Sequence, residues 1–194
     1  IFQPTGYSTM KKLLNQELNR KTIEEFKEAV KYPLTVVLDN VRSLNNIGSV
    51  FRTCDAFMIE SLYLCGITAT PPHREIHKTA LGATDSVHWL YFDNTMDAVA
   101  RLRSDGYTLC AVEQTENSIM LHDFKPEQEK KYAVIFGHEI RGVDQEVVNA
   151  CELSIEIPQL GTKHSINIAV SAGIVLWELN KKPHPKPLPQ VGWA

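Results

Sequence analysis

"LDNVRSLNNIGSVFRTCDAF" occupies residues Leu38 to Phe57. It closes an apolar run, Leu34 to Leu38, that reads as a buried strand, and it turns through "SLNNIGS" into a helical pattern. In a nucleotide-binding unit a strand, turn and helix of this kind would carry a glycine-rich phosphate loop. This turn has one glycine, Gly48, two adjacent asparagines, Asn45 and Asn46, and Arg52 six residues after the second. The pattern G-x-G-x-x-G is absent, which counts against a dinucleotide-dependent oxidoreductase.

Outward from this stretch the chain alternates short apolar runs with helical patterns. Strands are expected at "LTVVLD" (34–39), "SLYLCG" (61–66), "HWLYF" (88–92), "YTLCAV" (107–112), "YAVIFG" (132–137) and "LSIEIP" (153–158). Helices are expected near 46–57, 74–81, 95–105 and 144–151, with Asn94 placed to cap the third and Gly106 to end it. The last helical stretch, "SINIAVSAGIVLWELNKK" (165–182), is almost wholly apolar, as in a helix packed in a core or against a second subunit. This alternation predicts an α/β fold, a mostly parallel sheet flanked by helices. Ahead of it, residues 11–31 read as two short helices, the second with a Thr22–Glu25 capping box and an apolar face of Ile23, Phe26 and Val30.

The chain of 194 residues is 43% hydrophobic and 22% charged, which fits one globular domain. No apolar run approaches the roughly 18 residues that span a bilayer. The N-terminus lacks a signal-peptide pattern, so a cytoplasmic location is expected. A net charge of −3 argues against non-specific coating of nucleic acid and leaves room for a local basic patch. Cys54, Cys65, Cys110 and Cys151 form no C-x-x-C pair and read as buried free thiols.

Ligands of an open parallel sheet bind beyond the carboxyl ends of its strands. Three such places are rich in polar residues: "NVRSLNNIGSVFR" after 34–39, "GHEIRG" after 132–137 and "QLGTKHSIN" after 153–158. Taken singly each has a plain structural reading: a cap and a solvated charge for Asn46 and Arg52, a tight turn for Gly137 to Gly142, a helix cap for Ser165. "PPHREIHK" places His73 and His77 four apart, but Glu75 stands in the third place, so the H-E-x-x-H order is absent. That segment reads as a metal pair, as a basic strip of His73, Arg74 and Lys78, or as plain surface; no metal is assigned.

Taken together and in order, the three islands resemble the SpoU/TrmH family of RNA ribose 2′-O-methyltransferases, of the SPOUT class. The first family motif is Asn followed six residues later by Arg, here "NIGSVFR" (Asn46 to Arg52). The second is G-x-E-x-x-G, here "GHEIRG", and the third is a Pro-containing loop followed by S-x-N, here "IPQLGTKHSINIAVSAGI". The match spans about residues 34–180; Ile166 replaces the leucine usual in S-L-N, a volume-conserving change. The resemblance implies a C-terminal deep trefoil knot, a homodimer and S-adenosyl-L-methionine bound bent in the knot. It divides the chain into an N-terminal extension (1–31), a methyltransferase domain (32–182) and a Pro-rich tail (183–194). The tail has four prolines in residues 183–189 and is expected to be extended or disordered, and Met10 is a candidate native start.

By motif match Gly137, Ile157 and Ile166 should line the cofactor site, with Gln114, Glu139 and Leu160 as neighbours. Asn46 and Arg52 would face the target ribose and its phosphate, with Asn46 orienting Arg52. Glu139, Ser165 and Asn167 would hold the loops and the ribose. Arg42, Arg141 and Lys163, with His73, Arg74 and Lys78, would form a basic patch for tRNA or rRNA. Family proposals make the counterpart of Arg52 a base. Neutralising an arginine with a pKa above about 12 costs at least ~7 kcal/mol at pH 7, against roughly 3–5 kcal/mol returned by a general base. Arg52 is therefore read as a cationic clamp. A base methyltransferase of the same class and a non-catalytic RNA-binding homologue are the alternatives. The second would be expected to lose Arg52, Glu139 or Asn167, and all three are present.

Overall fold

The apolar run at Leu34–Leu38 is the middle of β1, Tyr32–Asp39, a strand buried on both faces. In the computed structural model, which describes residues 11–127 and 129–180, it pairs with β2 (Ile59–Cys65) on one side and β6 (Lys131–Phe136) on the other. The sheet is completed by β3 (Trp89–Phe92), β4 (Tyr107–Val112), β5 (Ile119–Met120) and β7 (Leu153–Glu156). The strand order is β3-β2-β1-β6-β4-β7-β5, and every pairing is parallel. Parallel strands need crossover connections, which here are helical except from β4 to β5 and from β5 to β6, and the helices cover both faces.

Side chains alternate along β1. Leu34, Val36 and Leu38 enter the core beneath α1 (Ile23–Glu28), α2 (Leu44–Ala56), α3 (Arg74–Ala80), α4 (Ala83–Ser86) and α7 (Ile168–Leu179). Val37 enters the opposite core beneath α5 (Thr95–Ser104) and α6 (Gln145–Ala150). This two-residue period explains why the central strands read as unbroken apolar runs. Each fully buried Leu, Ile, Val or Phe contributes about 1.5–3 kcal/mol. α2 presents Ile47, Val50, Phe51 and Cys54 to that core. At Gly48 it meets α3 so closely that a Cβ would overlap the Thr79 hydroxyl and the Ile76 carbonyl.

Several boundaries differ from the sequence expectation. The final helix begins at Ile168 rather than at residue 165, and its cap is Asn167, whose Oδ1 accepts from the Ala169 and Val170 amides. Ser165 is therefore no cap and lies in the preceding loop. The Thr22–Glu25 capping box forms as read, but α1 ends at Glu28, so Val30 falls past the last turn and is exposed. A 3-10 turn at Asn15–Leu18 stands for the first short helix. β5 has two residues and α4 one turn, too short for periodicity to reveal. Asn94 caps α5, and Gly106 follows it with φ +80°. The four cysteines are free thiols, with Cys151 half-buried and the others buried. The Pro-rich tail, the residues before Lys11 and the last two residues of the expected 165–182 helix lie outside the described residues. Among the described residues no helix is long and apolar enough to cross a membrane.

Candidate active site

Because the strands are parallel, the three polar islands gather at one end of the sheet. Glu139 joins them. Its Oε2 accepts from the Arg42 amide (3.1 Å) and its Oε1 from the Ser43 amide (2.8 Å) and the Asn46 side chain (3.4 Å). Asn46 Oδ1 accepts in turn from Asn167 Nδ2 at 3.1 Å. One polar chain thus runs from the second island through the first to the third, across sequence separations of 93 and 121 residues. Partial burial pushes the Glu139 carboxyl up, but backbone amides and the Asn46 amide outweigh it and hold its pKa below the usual value. Asp39, buried at the end of β1, holds the same region from below by accepting from the Asp144 amide (2.9 Å) and the Thr95 hydroxyl (2.6 Å).

Beside this chain lies a cavity of about 400 Å³. Its walls come from the ends of β4, β6 and β7 and the loops that follow them, and include Gly137, Glu139, Ile157 and Ile166. Two glycines shape it. A Cβ on Gly137 would overlap the backbone of Gly142 and Val143. Gly142 has φ +70° and packs against the Glu113 carboxylate. The turn between them closes through the paired His138 and Gly142 amides, at 2.9 and 2.8 Å.

The expected cofactor residues Gln114, Gly137, Glu139, Ile157 and Ile166 all line the cavity, as do Ser165, Asn167 and Arg141. Leu160 does not: it is 101% exposed, because the loop that carries it turns its side chain to solvent. Asn46 and Arg52 lie outside the wall. Asn46 is engaged by Glu139 and Asn167, with its own amide bonded to the Ser43 hydroxyl that caps α2, and its hydrogen bonds go to these residues rather than to Arg52. Arg52 is exposed on α2 and has no ionic partner among the described residues. Arg42 and Lys163 are exposed near the cavity loops, and His73, Arg74 and Lys78 are exposed on or beside α3. His73 Nδ1 accepts from the Glu75 amide, and Lys78 approaches Glu75 at 3.9 Å.

Two residues escaped the sequence reading. Glu113 projects into the cavity from the end of β4 and accepts from the Val143 amide at 3.1 Å. Reading the segment after β4 as closely as those after β1, β6 and β7 would have found it. His138 lines the cavity with its Nδ1 accepting from the Ile140 amide at 3.0 Å. In the neutral imidazole the proton is then on Nε2, so His138 is a donor toward its surroundings.

The sequence profile of the SpoU rRNA Methylase family matches residues 33–177. The chain is 30% identical over 167 residues to a tRNA (guanosine(18)-2′-O)-methyltransferase of Thermus thermophilus, covering 86% of this chain and 84% of that one. It is also 30% identical, over 162 residues, to a 23S rRNA (guanosine-2′-O-)-methyltransferase RlmB of Nitrosomonas europaea, covering 81% of this chain and 60% of that one. Among solved structures it resembles an AdoMet-bound rRNA methyltransferase from Sinorhizobium meliloti (TM-score 0.72, 26% identity, 79% of this chain and 59% of that one). It resembles equally the TrmH/SpoU tRNA modifying enzyme of A. aeolicus (TM-score 0.72, 25% identity, 81% and 79%). With the profile spanning most of the chain and the three islands joined by hydrogen bonds beside one cavity, this protein belongs to the SpoU methylase family.

Proposed function

We propose that this chain methylates a ribose 2′-hydroxyl of tRNA or rRNA, using S-adenosyl-L-methionine bound in the cavity beside Glu139. The observation that carries this reading is the Glu139–Asn46–Asn167 chain, which ties the first family motif to the second and third beside that cavity. The residues present fit the cofactor. A volume of about 400 Å³ lies within the usual range for small-molecule sites. Gly137 and Gly142 let backbone come close, Ile157 and Ile166 offer apolar walls, and carboxylates offer acceptors for hydroxyl and ammonium groups. When bound, the cofactor supplies an electrophilic methyl group.

The protein's task is then to present the hydroxyl and stabilise its charge as the proton leaves. Side chains on a helix lean toward its N-terminus, so Arg52 can reach back over the roughly 9 Å that separate it from Asn46 along the axis. There its guanidinium clamps the phosphate next to the target ribose and stabilises the developing alkoxide. The proton passes to that phosphate rather than to arginine. Asn46 and Asn167, fixed by each other and by Glu139, hold the ribose with Ser165, and positioning of this kind is worth several kcal/mol. Arg42, Arg141 and Lys163 at the site, with His73, Arg74 and Lys78 beyond it, supply the cationic track for RNA.

We further propose the knot, the homodimer and the three-part division of the chain. The routing supports the knot: after β4 the chain runs out to the sheet edge as β5, returns inward as β6, and leaves β7 inside that excursion before α7 packs back on α2. The dimer is supported by Val170, Ile174 and Trp177, at i, i+4 and i+7 on α7, which are 52%, 38% and 60% exposed. Residues 32–182 are the methyltransferase domain, and the extension seats Phe26 in the core. The enzyme acts in the cytoplasm, off the membrane. Titration with S-adenosylhomocysteine should show one site per chain, and incubation with cofactor should leave one RNA nucleotide resistant to alkaline cleavage. Absence of binding at millimolar ligand overturns the reading. A monomer in sedimentation at micromolar protein overturns the dimer.

A further inference from the structure

Residues 157–166, which form one wall of the cavity, pack against the core at Ile157 but have little hydrogen bonding to the rest of the molecule. Among the described residues one hydrogen bond reaches them, from Gln114 Nε2 to the His164 carbonyl at 3.1 Å. The preceding residue, Glu113, holds the opposite wall. Its Oε2 accepts from the Val143 amide at 3.1 Å, just past the Gly137–Gly142 turn, and its Oε1 from the Gln114 amide at 2.9 Å. The pair is anchored in the sheet, because the Glu113 carbonyl accepts from the Ser154 hydroxyl of β7 at 3.0 Å. Gly142 is part of the same device: with φ +70° and no Cβ, it lets the carboxylate close on the turn.

We propose that Glu113 and Gln114 are positioning residues that form one bracket across the cavity, fixing the 157–166 loop relative to the 137–143 turn and thereby setting cofactor affinity. The inference rests on the cavity being the cofactor site. Neither side chain is placed at the RNA hydroxyl, so the bracket governs how well the cofactor is held and leaves the chemical step alone.

The test is the affinity for S-adenosylhomocysteine and the kinetics of methyl transfer in Gln114→Ala, Glu113→Gln and the double variant. Gln114 is exposed, so its truncation leaves the fold intact, which a melting curve checks. Gln114→Ala should weaken cofactor binding about threefold to tenfold, the scale of one hydrogen bond. Glu113→Gln turns an acceptor into a donor facing an amide N–H and should weaken it at least about tenfold. The loss should appear in KM for the cofactor, with kcat at saturating cofactor and KM for RNA within about twofold. The double variant should lose less than the product of the single losses, because either break frees a wall. Unchanged affinity in the single variants, a fall in kcat with KM unaltered, or fully multiplicative losses overturns the bracket. If the unsubstituted protein itself fails to bind S-adenosylhomocysteine, the cofactor reading falls and the bracket with it.

Discussion

The two ends of the sheet each carry a cavity, and the larger one is at the end without the motifs. At the amino ends of the strands a recess of about 830 Å³ is lined by Glu60, Arg101, Asp105, Tyr107 and Lys131 among others. Its pairings are isolated and partly exposed: Arg101 of α5 pairs with Asp105 one turn away, and Lys131 at the start of β6 lies 3.9 Å from Glu60 of β2 and over the Tyr107 ring. At the carboxyl ends the cavity is about 400 Å³, and its polar groups reach across the chain, Glu139 to Ser43, Asn46 to Asn167, Gln114 to His164. Volume alone does not mark a site. Hydrogen bonds that tie several separate loops around one space do, because ordering those loops together has a cost in chain entropy that a single exposed ion pair does not carry.

Arg52 stands on α2 outside the wall of either cavity, so it tests where the border of the site lies. Arg52→Ala should cut single-turnover methyl transfer by at least about 10²-fold with little change in S-adenosylhomocysteine affinity, the scale for losing one electrostatic stabiliser. Arg52→Lys keeps the charge but loses the fork and should remain impaired. Near-normal transfer in Arg52→Ala confines the site to the cavity.

The glycine of the carboxyl-end turn gives the next effect. Gly137→Ala drives a Cβ into the Gly142 and Val143 backbone, and overpacking of this sort costs about 1–3 kcal/mol. S-Adenosylhomocysteine binding should weaken by about 5- to 150-fold, measured by titration calorimetry. Wild-type affinity in this variant would mean that the turn is not the cofactor wall.

The comparison also has a pH signature. Glu139 has its pKa held below the usual carboxyl value, so its contribution to stability is complete above the unfolded value near 4.3 and is lost as pH falls through the lower folded one. Glu139→Gln should lower stability by about 1–2 kcal/mol, the low end for hydrogen bonds to a charged group at an open site. The difference in Tm between wild type and variant should be full above about pH 5 and shrink progressively as pH falls below the unfolded value near 4.3. A difference that vanishes already near neutral pH would assign the effect to another group.

The smallest effect belongs to the amino-end recess. Glu60→Gln removes the partner of Lys131, and exposed ion pairs contribute about 0–1 kcal/mol. Methyl transfer should stay within about twofold of wild type. A larger loss would make the recess part of the functional surface.

Much of this was legible in one dimension. The strands β1, β2, β4 and β6 are short runs of apolar residues buried on both faces, a pattern that survives without tertiary information. The Thr22–Glu25 box and the Asn94 cap are satisfied within a few residues of themselves, so their chemistry is local. Asn46, Glu139 and Asn167 form a set through the resemblance to the SpoU/TrmH motifs, each in an island that follows a strand. Their mutual hydrogen bonds were not legible, since the partners lie 93 and 121 residues apart. The engagement of Asn46 with Glu139 and Asn167 in place of Arg52, the solvent-facing Leu160, and Glu113 in the cavity wall are likewise facts of packing.

By itself, then, the sequence determined the parallel α/β alternation, the apolar final helix and the three polar loops that follow strands, because hydrophobic period and turn residues act over a few positions. The tertiary structure alone decided the start of that helix at Ile168, the two-residue strand β5 and the side chains that hold one loop to another. Those depend on which segments the folded sheet brings side by side, and no local spacing encodes that.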